Sequence, residues 1–533
     1  MTDNKKQNFL QGALILSAAT LVVKIIGALY KIPLGNVIGE QGMANFGTAY
    51  VIYSTLFVIA TAGLPVAISK MVSEAETRGC PNESRRILRV ALTTFMAISA
   101  AGTAFMFFGA RRLAVFMSNP DAYAAIMAIS PAVFFVGYMS AFRGYHQGQS
   151  NMIPSAVSQV FEAGGKLIIG LGLSYYVYTT TGNLIWSAAA AIGGVSFGTV
   201  LGAIYMTVTG GKRLRYLPQS DAVATRKPGA IFKELMRISI PITISASVLT
   251  LTNFIDDKLI MQRLQEAAGY TLEGAQVLKG AYSYAQNLFN LPSAFILTLA
   301  VSVIPAIASA MKRGDRLTAQ KTIGTATSVT ALLTLPAAAG LMALSKPILL
   351  MLYPARREGA LTAAPLLFTL GIAVTFVCLV PLTNSMLQAL GHTGIPLISM
   401  SVGAVVKITC NYILVGNPEI NISGAPVGTV ACYSVIAAIN LFAIFVIAKP
   451  PRLFACFFKP LTAAAAMGIS VHWIQVALAG IMGNSLSTIC AIAIGGTLYI
   501  VLILAMKALS YDDVLLLPKG ETIARKLKII EKM

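Results

Sequence analysis

Apolar residues form long stretches along almost the whole chain, and short polar segments separate them. Each stretch has about the 20 residues that an α-helix needs to cross the hydrocarbon core of a bilayer. Fourteen spans are predicted, near residues 9–34, 44–69, 87–109, 122–142, 152–178, 184–209, 237–260, 281–309, 322–344, 363–386, 394–415, 424–447, 460–480 and 484–508. Little of the chain is left for a soluble domain, so the pattern predicts an all-α polytopic membrane protein.

The balance of residue types agrees with a membrane protein and also orients it. Hydrophobic residues make up 56% of the chain and charged residues 11%, against about 25% charged residues in soluble domains. The formal net charge of +20 would suit a nucleic-acid-binding protein, but most Lys and Arg lie in every second connecting segment, as the positive-inside rule requires. We therefore expect no nucleic-acid partner, and both termini on the cytoplasmic side.

The residues that usually hold metals or form disulfides are scattered. The 6 Cys and 3 His residues lie singly along the chain, without C-x-x-C spacing or clustering in one loop. Most of the cysteines fall within predicted spans, where a free Cys behaves as a small apolar residue. We therefore expect no metal site, no disulfide framework and no cofactor.

The two halves of the chain resemble each other at a shift of about 240 residues, which indicates an internal repeat. Pro65–Ser69 matches Pro305–Ser309, and the membrane-embedded Lys166 matches Lys407. Each copy holds six spans, so both copies enter the membrane from the same side and form parallel repeats. Two lobes of this kind suit a carrier, because they can rock against each other around a site near the midplane.

The repeat and the polar segments predict four parts of the chain. An N-lobe covers 1–232 and includes a cytoplasmic linker, a C-lobe covers 233–450, two additional spans lie in 451–510, and a cytoplasmic tail covers 511–533. The tail places apolar residues on one helical face and basic residues on the others. That pattern predicts an interfacial helix attracted to anionic membrane lipids.

Two lysines in the first span are the first candidates for binding. A Lys at the centre of a membrane helix costs about 2.5–3.5 kcal/mol on insertion scales, so such residues are functional candidates by default. Lys24 and Lys31 are seven residues apart, which places them on one helical face. They could hold an anion such as a diphosphate. Alternatively, Lys31 extends to the membrane surface and Lys24 pairs with an acid on another helix.

Other charges lie in spans five and seven. Glu162 and Lys166 have the i,i+4 spacing and order of a helical ion pair, so a structural pair is the first interpretation. Alternatively, Lys166 faces a cavity that Lys407 approaches from the other lobe. Asp256 and Asp257 end the predicted span seven, where they could bind a proton or a sodium ion or form a solvated helix end. Glu162 is a further ion-coupling candidate.

The segment Arg143–Gln149 is predicted to be the cytoplasmic loop between spans four and five. Its glycines permit a tight turn, and Arg143 with the glutamines could donate hydrogen bonds to a headgroup or to the partner lobe. A structural gate or a topology signal would explain the same residues without a substrate.

Several motifs in combination carry a family resemblance. They are Val23–Gly27 with Lys31–Pro33, Gly63–Lys70, Arg143–Gly148, Met152–Gln159 with Glu162, Asn421–Ala425 and Leu517–Gly520. Together they resemble the multidrug/oligosaccharidyl-lipid/polysaccharide (MOP) exporter superfamily, in particular its bacterial branch of stage V sporulation protein B and YtgP-like lipid flippases. The resemblance covers essentially the whole chain.

The resemblance implies two six-helix lobes in a V around a central cavity, plus two C-terminal helices, working by alternating access. The implied cargo is an undecaprenyl-diphosphate-linked sugar, above all the peptidoglycan precursor lipid II, flipped to the outer leaflet of the bacterial plasma membrane. Lys24 and Lys31 resemble the first-helix arginines of MurJ-type flippases, although span two lacks a basic pair and span eight lacks an arginine. Cell-wall synthesis enzymes are implied partners, and the membrane potential, H⁺ or Na⁺ stays open as the driving force.

Three other functions compete with this interpretation. An exporter of another lipid-linked polysaccharide unit would need the same cationic residues. A drug or cation antiporter of the same superfamily would carry acidic residues in its cavity instead. A membrane glycosyltransferase would need catalytic carboxylates on a large outside loop, but the longest predicted one, near 261–280, has only Glu266 and Glu273. We therefore expect no enzymatic activity.

Overall fold

The computed structural model describes residues 9–216, 226–450 and 455–508, and in these ranges the chain is helical without a β-strand. The α-helices are α1 (Phe9–Thr61), α2 (Leu64–Thr77), α3 (Pro81–Phe116), α4 (Tyr123–Gly148), α5 (Ile153–Gly165), α6 (Leu171–Thr181), α7 (Leu184–Tyr216), α8 (Pro228–Glu266), α9 (Leu272–Phe289), α10 (Leu291–Lys312), α11 (Arg316–Ala343), α12 (Ser345–Leu352), α13 (Arg357–Ala389), α14 (Gly394–Leu414), α15 (Gly424–Ala448) and α16 (Ala455–Ala505). A π-helical turn, Lys166–Gly170, joins α5 to α6. The predicted tail at 511–533 lies outside the described residues.

The helix α1 is a hairpin of two arms. A straight helix of 53 residues would be about 80 Å long, more than twice the hydrocarbon thickness. Gly39 interrupts it with a φ of 65°, a conformation that glycine adopts without steric cost. The arms then pack on each other, with the ring centroids of Tyr30 and Phe46 6.0 Å apart. The helix therefore crosses the membrane twice.

The helix α16 repeats this arrangement near the end of the described chain. Gly483 breaks its 51 residues with a φ of 74°. The Nζ of Lys459 on the first arm donates to the carbonyl oxygen of Met506, just beyond the second, at 2.9 Å. A side-chain carbon at Gly495 would lie 2.4 Å from Val471, so the arms are in close contact. The two additional spans of the sequence are therefore one helical hairpin.

The described helices account for most of the fourteen predicted crossings. Ten helical segments are long and apolar enough to cross a membrane, and the bent helix α8 makes an eleventh. The segments 18–77 and 456–505 contain the two hairpins and so supply two crossings each. The remaining predicted crossing, near 281–309, falls on α9 and α10 and stays a prediction. The chain is a multi-pass all-α membrane protein, as the hydropathy predicts.

The contacts divide the chain into two units, Met1–Gly280 and Ala281–Met533. The first unit packs α4 against α2, α3 and α7, and α5 against α7. The second unit packs α13 against α10, α11 and α15, and α14 against α15. These are the equivalent pairs that a parallel repeat predicts. The repeat predicts a lobe boundary at residue 232, close to the start of α8. In the structure α8 packs against α1, α2 and α3, so it belongs to the first unit.

The predicted outside loop near 261–280 is mostly helical, which corrects the sequence interpretation. α8 continues to Glu266 and α9 already begins at Leu272. Polar residues of this segment, Gln276 and Lys279, are buried. The polarity that suggested a loop therefore comes from side chains that have partners inside the protein.

Candidate functional site

Three lysines converge in the first unit. Lys24 and Lys31 lie on the first arm of α1, with Lys24 exposed and Lys31 partly buried. The Nζ of Lys31 lies 5.6 Å from the ring centroid of Tyr50 on the second arm, a cation–π contact. Lys166 on the neighbouring π-helical turn is close enough to interact electrostatically with both lysines. The site therefore concentrates positive charge inside membrane helices.

Lys166 does not form the predicted ion pair with Glu162. Glu162 pairs with Arg143 instead, whose Nη2 lies 3.2 Å from Glu162 Oε2. Lys166 begins the π-helical turn, and its Nζ lies 5.2 Å from the ring centroid of Tyr30. The changed helical geometry and the aromatic ring replace the local i,i+4 contact that the spacing predicted.

Arg143 lies in a helix, not in the predicted loop. α4 continues through Gly148, and the Nε of Arg143 donates to Ser158 Oγ at 3.0 Å. The glycines serve close packing instead of a turn, since a side-chain carbon at Gly144 would lie 2.8 Å from the carbonyl oxygen of Pro65 on α2. The residue is nearly buried, at 9% exposure. Arg143 therefore reaches the site from within helix α4.

These residues surround a cavity of about 230 Å³. Its lining consists of Val23, Tyr50, Tyr53, Ser54, Phe57, Arg143, Gln159, Glu162, Ala163, Lys166 and Val195. We call the cavity, together with Lys24 and Lys31 beside it, the cationic pocket. It has four cations and one carboxylate, and that carboxylate is already paired with Arg143. Electrostatic interactions are strengthened where aromatic walls limit water, so the arrangement is suited to hold an anion.

Lys407 lies in the second unit. It is on α14, nearly buried at 5% exposure, and four residues before the buried Asn411. A cavity that is cationic from both lobes stays a prediction, as does a binding role for Lys407.

Asp256 and Asp257 lie within α8 and not at a helix end, because that helix extends to Glu266. Asp256 is buried, at 5% exposure. Asp257 Oδ2 accepts a hydrogen bond from Lys279 Nζ at 2.6 Å, and the two side chains are 12% and 4% exposed. Lys279 also donates to Thr48 Oγ1 at 2.9 Å. The interpretation as a solvated helix end is therefore wrong, and Asp257 is a member of a buried ion pair.

A buried polar network accompanies this pair and was missed by the sequence reasoning. Gln276 Nε2 donates to Asn119 Oδ1 and to Asp121 Oδ2, both at 2.9 Å. Asn119 Nδ2 donates to Thr48 Oγ1 at 3.2 Å. The network ties α9 to α1 and to the α3–α4 connection. Its members are isolated polar residues beside apolar spans, so the only signal in the sequence is their placement next to predicted span ends.

The described residues contain no group of three or more His, Cys, Asp or Glu side chains arranged to hold a metal ion. The cationic pocket itself offers ammonium, guanidinium, hydroxyl, amide, carboxylate and aromatic groups.

Comparison with protein families gives two matches. The family model described as polysaccharide biosynthesis protein matches residues 9–311, which include the whole cationic pocket. The MatE model matches residues 269–413.

Curated relatives from Bacillus subtilis (strain 168) extend the likeness. Lipid II flippase MurJ is 26% identical over 517 residues, covering 92% of this chain and 94% of that protein. Stage V sporulation protein B is 26% identical over 427 residues, covering 80% of this chain and 81% of that protein.

A solved structure shows the same fold. Lipid II flippase MurJ in an inward closed conformation matches with a TM-score of 0.70 and 15% identity, covering 92% of this chain and 98% of that one. At this identity the likeness concerns the fold alone.

Proposed function

The chain belongs to the polysaccharide biosynthesis protein family of the MOP exporter superfamily, and from this membership we propose that it is a flippase for an undecaprenyl-diphosphate-linked oligosaccharide. The proposed direction is from the inner to the outer leaflet of the bacterial plasma membrane, by alternating access. The proposed cargo is lipid II, which a relative's name supports. We place both termini in the cytoplasm and expect no enzymatic reaction.

The observation that carries the proposal is the excess of cations in the cationic pocket. Each cation at the centre of a membrane helix costs about 2.5–3.5 kcal/mol. Glu162 compensates Arg143, whereas Lys24, Lys31 and Lys166 have no acidic partner within 4.0 Å among the described residues. A diphosphate would supply the missing negative charge. A cationic drug would be repelled, so the pocket disfavours a drug or cation antiporter.

The diphosphate and the sugar could not cross hydrocarbon unaided because both are strongly hydrated. A cationic pocket that opens to each side in turn would lower this barrier. The membrane potential contributes about 2.3 kcal/mol per charge per 100 mV, and an inside-negative potential favours outward movement of an anion. Coupling to H⁺ or Na⁺ through Glu162 or Asp257 would first have to break an ion pair.

The proposed function is tested by flipping of labelled lipid II in proteoliposomes. We expect transport by the intact protein and a loss of about 10-fold or more in Lys24→Ala, because a hydrogen bond between charged groups contributes about 1.5–3 kcal/mol. Lys24→Arg should retain transport. Lys70→Ala is the matched control, because it also removes one lysine, but from the surface of α2, where the side chain is 60% exposed.

The outcomes separate the alternatives. Transport of a different undecaprenyl-diphosphate glycan, but not of lipid II, would support the class of cargo and change its sugar. Export of cationic drugs together with unchanged activity of Lys24→Ala would contradict the proposal. Interaction with cell-wall synthesis enzymes is a further expectation, and co-purification with the intact protein would test it.

A further inference from the structure

A row of aromatic rings follows the second arm of α1 beside the cationic pocket. Phe46, Tyr50, Tyr53 and Phe57 are four, three and four residues apart, so they lie on one face of the helix. Neighbouring ring centroids are 6.0, 5.9 and 5.8 Å apart, within the range of about 4.5–7 Å over which rings attract each other. We call these four residues the aromatic row. All of them except Phe46 line the cavity.

The helix α5 and the π-helical turn give the same cavity a polar wall. Gln159 and Glu162 on α5 and Lys166 on the turn line it, three and four residues apart. Tyr53 of the aromatic row is close enough to Glu162 to interact with it electrostatically. The cavity therefore combines an aromatic wall with a hydrogen-bonding wall.

Neutral polar groups of the cavity are available to a ligand. Among the described residues, no hydrogen bond engages the hydroxyls of Tyr50 and Tyr53 or the side-chain amide of Gln159. Tyr53 is only 4% exposed, and a buried hydroxyl normally has a hydrogen-bond partner. The lysines of the cationic pocket explain how an anion is held, but they do not explain these neutral groups or the row of rings beside them.

Aromatic rings together with neutral hydrogen-bonding groups match the chemistry of a sugar. A pyranose ring has apolar C–H groups on its faces and hydroxyl groups around its rim. The face of an aromatic ring carries partial negative charge and attracts such C–H groups, while amide and phenol groups exchange hydrogen bonds with the hydroxyls. A hydrocarbon chain would use only the aromatic wall, and a phosphate would use only the lysines.

The size of the cavity limits how much of a glycan enters it. Its volume of about 230 Å³ is below the roughly 300–1,000 Å³ of pockets that enclose a drug-sized ligand. The cavity has room for one sugar ring, whereas a whole oligosaccharide extends beyond it. In a lipid-linked glycan the first sugar is bonded directly to the diphosphate. Lysines that hold the phosphates therefore bring this sugar beside the aromatic row.

We propose that the aromatic row binds the first sugar of the lipid-linked glycan against Tyr53 and Phe57, while the lysines hold the diphosphate. The Tyr53 hydroxyl and the Gln159 amide exchange hydrogen bonds with the hydroxyls of this sugar. The inference rests on the proposed function and deepens it, because it assigns recognition of the sugar to residues other than those that bind the charge. The aromatic row then distinguishes a glycosylated carrier lipid from bare undecaprenyl diphosphate.

The test compares undecaprenyl diphosphate with its derivative that carries one N-acetylglucosamine. Dissociation constants of both radiolabelled lipids are measured for the full-length protein in detergent micelles. We expect the glycosylated lipid to bind about 10-fold more tightly. The bare lipid has at least as much negative charge, so charge alone cannot produce this preference. Phe57→Leu should abolish the preference because leucine is apolar but has no ring, and Phe57→Tyr should retain it.

Variants elsewhere make the comparison specific. The matched control Phe108→Leu removes a ring from α3, where the side chain is 85% exposed, and should leave the preference unchanged. Gln159→Leu alters the polar wall and should weaken only the glycosylated lipid, by about 5-fold, as expected for one hydrogen bond. It decides the question if Phe57→Leu fails to fold. Lys24→Ala should weaken both lipids by a similar factor.

The outcomes separate this inference from the function on which it rests. Equal affinities of the intact protein for the two lipids would overturn the sugar site and leave the binding of an anionic lipid intact. An unchanged preference in Phe57→Leu or in Gln159→Leu would do the same. Binding of neither lipid by the folded protein would contradict the proposed function itself, as would a Lys24→Ala variant that binds both lipids as tightly as the intact protein.

Discussion

Replacing Lys279 by methionine removes the ammonium group that pairs with Asp257, while keeping a side chain of similar length. The two atoms, Nζ and Oδ2, are 2.6 Å apart, and the side chains are only 4% and 12% exposed. The variant leaves a carboxylate buried without its cation, and Thr48 loses a hydrogen-bond donor. Removing one partner of a buried ion pair costs about 3–5 kcal/mol. We expect Lys279→Met to lower the free energy of unfolding by that amount.

A double variant shows why the cost is so large. In Lys279→Met with Asp257→Leu, both charges of this ion pair are removed. Replacing both members of a buried pair by apolar residues is often neutral or even stabilising by about 1–4 kcal/mol. We therefore expect the double variant to recover most of the stability that Lys279→Met loses. The loss then comes from the stranded carboxylate and not from the attraction within the pair.

The assay is equilibrium unfolding in mixed micelles, followed by the change in helicity. Lys70→Met is the control, because its pair with Glu74 is exposed and 3.9 Å long, and such surface pairs contribute about 0–1 kcal/mol. A loss below about 1 kcal/mol in Lys279→Met would refute the reasoning about the buried carboxylate. A double variant as unstable as Lys279→Met would refute it as well.

Two further predictions concern packing and pH. In α5, Gly165→Ala places a side-chain carbon 2.6 Å from the Cα of Gly198 and should cost about 1–3 kcal/mol. The adjacent Gly164→Ala meets nothing within 4 Å and should stabilise by about 0.5–1 kcal/mol; thermal unfolding of the two variants checks this, and equal midpoints would contradict it. At the start of α11, hydrogen bonds from Thr318 hold the pKa of Asp315 below its usual value. The Asp315 carboxylate stabilises the folded state fully above its unfolded pKa, about 3.9, and this contribution is lost as the pH falls through the lower folded pKa. Wild type should therefore lose more stability than Asp315→Asn in an acid titration. Parallel curves of the two proteins would disprove this.

Several features of the fold are predictable because the membrane admits few structures. A backbone in hydrocarbon must satisfy its own hydrogen bonds, so an apolar stretch of the right length implies a helix. The predicted span 322–344 and the helix Arg316–Ala343 agree for this reason. The predicted spans 184–209 and 424–447 likewise begin where α7 and α15 begin, at Leu184 and Gly424.

The ends of helices are less predictable because hydropathy measures transfer into lipid and not contacts within the protein. α4 continues through Arg143, and α8 continues past Asp257. Both charged residues have partners on other elements, Glu162 and Lys279. A helix can therefore continue where its polar side chains are paired, although the sequence there has the polarity of a loop.

The sequence by itself determined that this protein is a multi-pass helical bundle with a repeat and with lysines inside its first and fifth spans. Those properties depend on local composition and on the cost of charge in hydrocarbon. Only the tertiary structure decided which side chains each charged residue contacts. It pairs Glu162 with Arg143 and places Lys166 over Tyr30. Local spacing describes one helix, whereas an ion pair in a bundle depends on how neighbouring helices pack, and close glycine contacts set that packing.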